Sequence, residues 1–256
     1  MRSWNVTSLE SRAVLVTGTA SGIGQAIAQR LVDDGMKVLA VDLSPPEATD
    51  APGEFFQADL TTREGNRAAV EMALERFGRL DAVIPNAGFQ HVSPVADFPE
   101  DRWDAILAVL LTSPFLLAKY AWPALVESGA GRFVAIASVH GLVASPFKAG
   151  YVSAKHGVLG LVKTLALEGA EHGVTATAVC PGYVRTPLVE KQIAGQAAAH
   201  GISEDRVLEE IILAPQAVKR LVEPSEVAGV VAFLLGPQGR SFTGSPVTLD
   251  QGWTAR

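Results

Sequence analysis

Short β-type runs, most of them continuously apolar, punctuate the chain, and between most of them lie longer stretches with apolar residues at helical spacing. The runs are Ala13 to Thr17, Lys37 to Val41, Glu54 to Ala58, Leu80 to Ile84, Arg132 to Ala137, Val174 to Val179 and the short Pro246 to Leu249. Strands that lack polar alternation are those covered on both faces, as in a parallel sheet. The spacing predicts helices over 23–34, 62–77, 100–127, 151–170 and 224–235. Together they predict the α/β class: a single-domain, Rossmann-type, doubly wound parallel sheet of about seven strands with helices on both faces, spanning 1–256. One connection is longer than packing requires. From Val179 to Pro224 the chain runs about 44 residues, and a substrate lid is expected at about 186–214.

Composition narrows the function classes. A chain of 256 residues, 48% hydrophobic and 19% charged, is globular rather than disordered. Net charge is −6 and no Lys/Arg run tracks a phosphate backbone, so nucleic acid is not an expected partner. The start, Met1 to Ser8, lacks the apolar core of a signal peptide, and the expectation is no membrane span. Cys180 is the only cysteine, which excludes an internal disulfide and CxxC metal sites. No metal is expected, and a reducing, cytoplasmic setting fits.

Chemistry begins directly after the first strand. Thr17-Gly18-Thr19-Ala20-Ser21-Gly22-Ile23-Gly24 places glycines at a strand-to-helix turn. Such glycines let main chain approach a pyrophosphate, and the helix start aims free N–H groups at the anion. Gly18, Ser21, Gly22, Ile23 and Gly24 are therefore candidate cofactor contacts. Asp42 ends the second strand 18 residues past Gly24. A carboxylate there accepts hydrogen bonds from adenosine ribose hydroxyls and repels a 2′-phosphate, which points to NAD over NADP.

Farther on, Ser138 follows the fifth strand, and Tyr151 and Lys155 stand at i and i+4 on one helix face. A free tyrosine, with a pKa near roughly 10, is a poor base at neutral pH. A neighbouring ammonium favours the phenolate, so Lys155 is expected to lower the Tyr151 value, helped by an oxidised nicotinamide ring. Tyr151 then exchanges the hydroxyl proton of an alcohol while Ser138 holds its oxygen. Ser138 and His140 share a side in extended backbone, and Lys148 comes three residues before Tyr151. A cation there is suited to anchoring an anionic substrate.

The ordered set Thr17-Gly18-xxx-Gly22-x-Gly24, Asp59-Leu60, Asn86-Ala87-Gly88, Ser138, Tyr151-xxx-Lys155 and Pro181-Gly182 resembles the short-chain dehydrogenase/reductase family over nearly the whole chain. The resemblance implies that Asp59 and Leu60 frame an adenine and that Asn86, Ala87 and Gly88 line the cofactor. It also implies that Lys155 binds the nicotinamide ribose and that Pro181, Gly182, Val184 and Thr186 hold the carboxamide end. Segments around Gln90, His140, Lys148, 184–193 and Gly252 to Arg256 are similar to a branch that interconverts small 3-hydroxy acids, D-3-hydroxybutyrate above all, and their 3-keto acids. That likeness implies a carboxylate-binding set of Gln90, His140, Lys148 and Gln192, with Tyr183 in the pocket and Trp253 closing it. The pattern breaks at Leu110, where the family carries an Asn that holds a relay water. It also breaks at Tyr183, where the branch tends to have Trp, and at Pro85.

Two other readings remain open: a related alcohol or cis-dihydrodiol dehydrogenase, and a non-catalytic NAD-sensing protein. The stretch from Ile106 to Ala118 is apolar almost all round and needs cover on both faces. A homo-oligomer is expected, and the resemblance implies a tetramer.

Overall fold

The structure is a computed structural model and describes residues 11–45 and 52–255. Seven strands form one wholly parallel sheet: β1 (Ala13–Thr17), β2 (Lys37–Asp42), β3 (Glu54–Gln57), β4 (Ala82–Ile84), β5 (Arg132–Ile136), β6 (Thr175–Pro181) and β7 (Pro246–Leu249). Their spatial order is β3-β2-β1-β4-β5-β6-β7. The order reverses direction between β1 and β4, and a crevice opens beyond the carboxyl ends of strands at such a switch point. The expected doubly wound sheet is what the chain forms.

The helices are α1 (Gly22–Asp33), α2 (Arg63–Phe77), α3 (Glu100–Leu107), α4 (Ser113–Glu127), α5 (Ala149–Gly169), α6 (Pro187–His200), α7 (Glu204–Val207) and α8 (Pro224–Leu235). Local signals set several ends. Thr62 caps α2 by accepting from Gly65 N–H at 3.0 Å, and Gly78 closes it. Glu223 and Glu226 form a capping box at α8 behind Pro224. The central strands β1, β5 and β6 are buried at every position. One core joins their first face to α2, α4 and α5 through Leu15, Leu117, Phe133 and Val162; the other joins α1 and α8 through Val14, Ile27, Val134 and Val231. A small separate core, Val189, Ile193, Val207, Ile212, Leu213 and Leu221, sits under the long connection.

Three expectations need adjusting. The helix predicted over 100–127 is interrupted at 108–112 by a π turn, where Ser113 N–H reaches the Ala108 carbonyl. Pro114 follows, and a residue without an N–H breaks the α ladder; a π turn beside it absorbs the misfit. The helical run Glu100–Glu127 is also long and apolar enough to pass for a membrane span, which the reading for spans missed. Half of its most apolar window is buried inside this chain, where α4 packs on α2, α5 and the sheet. Lastly, β3 is an edge strand with no fully buried residue rather than one covered on both faces.

Candidate active site

A cavity of about 570 Å³ lies along the carboxyl ends of the strands. Of the residues picked from sequence, all but Gly24 line it. Gly24 works from behind: a Cβ there would stand 2.0 Å from the Gly18 carbonyl oxygen and 2.5 Å from the Asn86 amide. Gly18, at φ +71°, makes the turn itself, and a Cβ would meet the Ala87 Cα at 2.7 Å. The turn is braced from below. Asn86 donates its amide to the carbonyls of Thr17 (2.9 Å) and Gly18 (3.1 Å), and the Thr17 hydroxyl accepts from the N–H groups of Asn86 and Ala87. Asn86 thus acts on the loop's shape besides lining the cavity.

These groups suit a dinucleotide. Ser21 stands at the start of α1 but its side chain caps nothing, so the first-turn N–H groups stay free for an anion. The Thr19 hydroxyl is buried without a partner among the described residues. Asp42 accepts from Ala20 N–H (2.9 Å) and Ser44 N–H (3.2 Å), which ties the glycine turn to the end of β2 and holds a carboxylate at the cavity's far end. Asp59 is fixed by Thr61, whose N–H and hydroxyl both donate to it. Among the described residues, no Lys or Arg lines this end.

The other end gathers side chains from distant segments. Ser138 leaves β5, and Tyr151 and Lys155 come from the first turns of α5. Lys155 Nζ donates to the Ile136 carbonyl at 2.7 Å and lies 5.6 Å from the Tyr151 ring centroid. The expected lowering of the Tyr151 pKa by Lys155 is not met by the protein's own groups. Lys155 is buried and Tyr151 partly buried. Burial raises the phenol, opposed in part by the Ser138 hydroxyl, and brings the Lys155 ammonium down to about 8.

Around this trio stand the groups expected to hold a carboxylate. Lys148 Nζ donates to the Tyr183 hydroxyl at 3.3 Å and lies 5.4 Å from that ring's centroid. Tyr183 stacks on Trp253, centroids 5.6 Å apart. Gln192 donates to Gln90 Oε1 at 3.3 Å, and Gln90 Nε2 is buried with no partner among the described residues. His140 is 4% exposed, and burial holds its pKa down at about 4, so the ring is neutral. Thr186 caps α6 by accepting from Val189 N–H. Leu110 sits against Gly88, its Cδ2 2.1 Å from where a Cβ would be. Among the described residues no cluster of His, Cys, Asp and Glu is able to hold a metal.

Sequence reasoning missed the apolar members of the wall, Val109, Leu188 and Val189, and the Ser145 hydroxyl that holds His140. The apolar residues look like ordinary core in one dimension. Ser145 carried a usable signal, five residues beyond His140 in a loop with little helical pattern.

The short chain dehydrogenase family matches residues 12–197. A D-beta-hydroxybutyrate dehydrogenase of Rhizobium meliloti is 42% identical, over 96% of this chain and 100% of its own. A protein of the same name from Cupriavidus necator is 39% identical, over 97% of this chain and 100% of its own. Among solved structures, the ligand-free aldohexose dehydrogenase of Thermoplasma acidophilum superposes with a TM-score of 0.91 at 29% identity, covering 98% of this chain and 97% of that one.

Proposed function

This chain belongs to the short chain dehydrogenase family, oxidoreductases acting on CH–OH groups, and we propose that it interconverts D-3-hydroxybutyrate, or a 3-hydroxy acid of like size, and its 3-keto acid with NAD. The observation that carries the substrate reading is a half-buried cation at the reacting end. Lys148 lines the cavity beside Tyr151 and, among the described residues, has no carboxylate within ion-pair reach. A half-buried ammonium with only a phenol for partner is stabilised by an incoming carboxylate. Burial lowers the Lys148 pKa, and an anion alongside reverses that shift. The name shared by the Rhizobium meliloti and Cupriavidus necator relatives supports the same substrate.

In this reading Gly18, Ser21, Gly22 and Ile23 cradle the pyrophosphate, and Asp42 selects the unphosphorylated ribose. Asp59 and Leu60 frame the adenine; Asn86, Ala87, Gly88, Pro181, Gly182, Val184 and Thr186 line the nicotinamide half. Bound NAD supplies the hydride acceptor and, when oxidised, a positive ring. Tyr151 takes the substrate's hydroxyl proton and returns it in the reverse direction. Ser138 donates to the same oxygen, and Lys155 holds positive charge near the phenolic oxygen. Lys148, with Gln90 and Gln192, binds the carboxylate, so that a short acid spans the gap from anchor to acid/base. Tyr183 and Trp253 shut water from one side. α6, α7 and a second π turn after them (Leu208–Ile212), resting on their own small core, act as the lid. Phe115 on α4 and Leu167 on α5 are exposed, and cover from further copies in a tetramer belongs to the same reading.

The test is NADH formation on a panel of short 3-hydroxy acids and uncharged secondary alcohols. D-3-hydroxybutyrate is expected to exceed 2-butanol in kcat/KM by at least about tenfold, the value of a charge-assisted hydrogen bond of roughly 1.5–3 kcal/mol. Equal turnover of charged and uncharged alcohols overturns the acid reading.

A further inference from the structure

Asn66 and Ser113 stand 47 residues apart and meet in the interior, although neither lines the cavity. Both are buried, Asn66 at 0% and Ser113 at 2% exposed. Asn66 lies in the first turn of α2 and donates its amide to the main-chain carbonyls of Leu60 (2.8 Å) and Thr62 (2.6 Å). The Ser113 hydroxyl donates to Asn66 Oδ1 at 2.6 Å. Ser113 also opens α4, and its N–H closes the π turn on the Ala108 carbonyl.

Chemistry fixes who donates in this trio. A main-chain carbonyl only accepts, so the end of Asn66 that faces two of them is the NH2. The other end is then an oxygen that only accepts, and the Ser113 hydroxyl has to donate to it. Both amide protons are used and the oxygen is filled, as buried polar groups require. The turn that leads into α2 is otherwise tied to itself. Thr61 donates twice to Asp59, the Thr62 hydroxyl donates to the Asp59 carbonyl, and Gly65 N–H donates back to that hydroxyl. Among the described residues, Ser113 is the one side chain of another element that hydrogen-bonds to the stretch from Asp59 to Asn66. Leu60 lines the cavity on one side of this link, and Val109 and Leu110 of the π turn line it on the other.

We propose that Asn66 and Ser113 are positioning residues for the adenosine half of a dinucleotide: Ser113 fixes the Asn66 amide, and the amide fixes the Leu60 carbonyl and with it the wall that Leu60 presents. The inference rests on the dinucleotide reading of the cavity. Neither residue touches the ligand. What the pair supplies is pre-organisation, since a turn already held in place is not ordered at the ligand's expense. Without the Ser113 hydroxyl, Asn66 Oδ1 is buried and unpaired, a costlier state than a broken bond at the surface. The amide then regains a partner for its oxygen only by turning away from the two carbonyls, which frees the turn.

The test is isothermal titration of the full chain with two half-cofactors, ADP-ribose and reduced nicotinamide mononucleotide. Ser113→Ala is expected to weaken ADP-ribose binding by about three- to tenfold, the span of one buried hydrogen bond. Reduced nicotinamide mononucleotide should bind as before, because the Ser113 main chain still closes the π turn. Asn66→Asp adds a pH signature. Its carboxylate, when ionised, sets an oxygen against two carbonyls; when protonated, it donates to one of them. Relative to the unsubstituted chain, its ADP-ribose affinity is expected to be lowest near about pH 8 and to recover toward about pH 5 as the carboxyl takes up a proton. A general loss of packing would weaken both half-cofactors and show no such recovery. Equal weakening of both ligands in Ser113→Ala overturns the proposal, and so does an ADP-ribose affinity that this substitution leaves unchanged. If the unsubstituted chain binds neither half-cofactor, the dinucleotide reading itself is overturned, and the role of the pair falls with it.

Discussion

The glycine turn after β1 and the substrate end of the same cavity differ in what they present and in how far apart their parts lie along the chain. Around the turn, a ligand meets main chain. Gly18 to Gly24 form one continuous segment, and Asn86, Thr17 and Asp42 serve it by hydrogen bonds to backbone atoms. At the substrate end a ligand meets side chains: Gln90, Ser138, Lys148, Tyr151, Tyr183, Gln192 and Trp253 span more than half the chain. Main chain is shared by all residue types, so the first site tolerates substitutions that keep its geometry and fails when a Cβ intrudes. The second depends on the identity of each side chain. In the proposed function a pyrophosphate is thereby read by shape and the substrate by chemistry.

Four substitutions sharpen or break this contrast. The largest effect is expected for Tyr151→Phe: turnover falls by at least about a hundredfold while NADH affinity, measured by fluorescence titration, stays nearly unchanged, since general acid/base groups contribute about 10²–10⁴. If binding collapses as well, the two ends are not separable. Next comes a pH effect on stability. His140 titrates near 6.5 when unfolded and about 4 when folded. The unfolded chain therefore binds the extra proton first, and stability present above pH 6.5 is lost as pH falls toward 4, by up to about 3 kcal/mol. Denaturant melts of His140→Gln should lose less over that window than the unsubstituted protein; equal losses refute the buried neutral ring. Lys148→Ala is expected to cost roughly 1.5–3 kcal/mol in kcat/KM for carboxylate substrates and much less for an uncharged alcohol. The same loss for both removes its role as anchor. Smallest is Asp42→Asn, with NAD binding weakened about tenfold, in the range of a hydrogen bond to a charged group, and NADP gaining relative to it. Isothermal titration with both nucleotides reads this, and an unchanged ratio excludes Asp42 from cofactor choice.

Much of the fold was legible because its signals are local. Continuous apolar runs mark the buried strands, Thr62, Gly78 and Pro224 punctuate helices, and the glycine turn announces itself by position after β1. The pairing of Tyr151 with Lys155 was also readable, being one helical turn apart. Less legible was the π turn at 108–112. Pro114 stands beside it, but its form depends on how the carbonyls before it find donors. The direction of the Tyr151 shift was misread for a related reason. Spacing reveals that an ammonium is near, whereas the depth of burial, which here outweighs it, is a property of everything packed around the pair.

Residue order and type alone were enough to establish a parallel α/β sheet, the place of a glycine turn suited to an anion, and a tyrosine, lysine and serine suited to alcohol chemistry, because each follows from interactions within a few residues. Tertiary packing alone decided that Lys155 turns to the Ile136 carbonyl and Lys148 to Tyr183, and that His140 is gripped between two serines. These outcomes depend on which donors and acceptors converge once water is excluded, and elements far apart in the chain supply them.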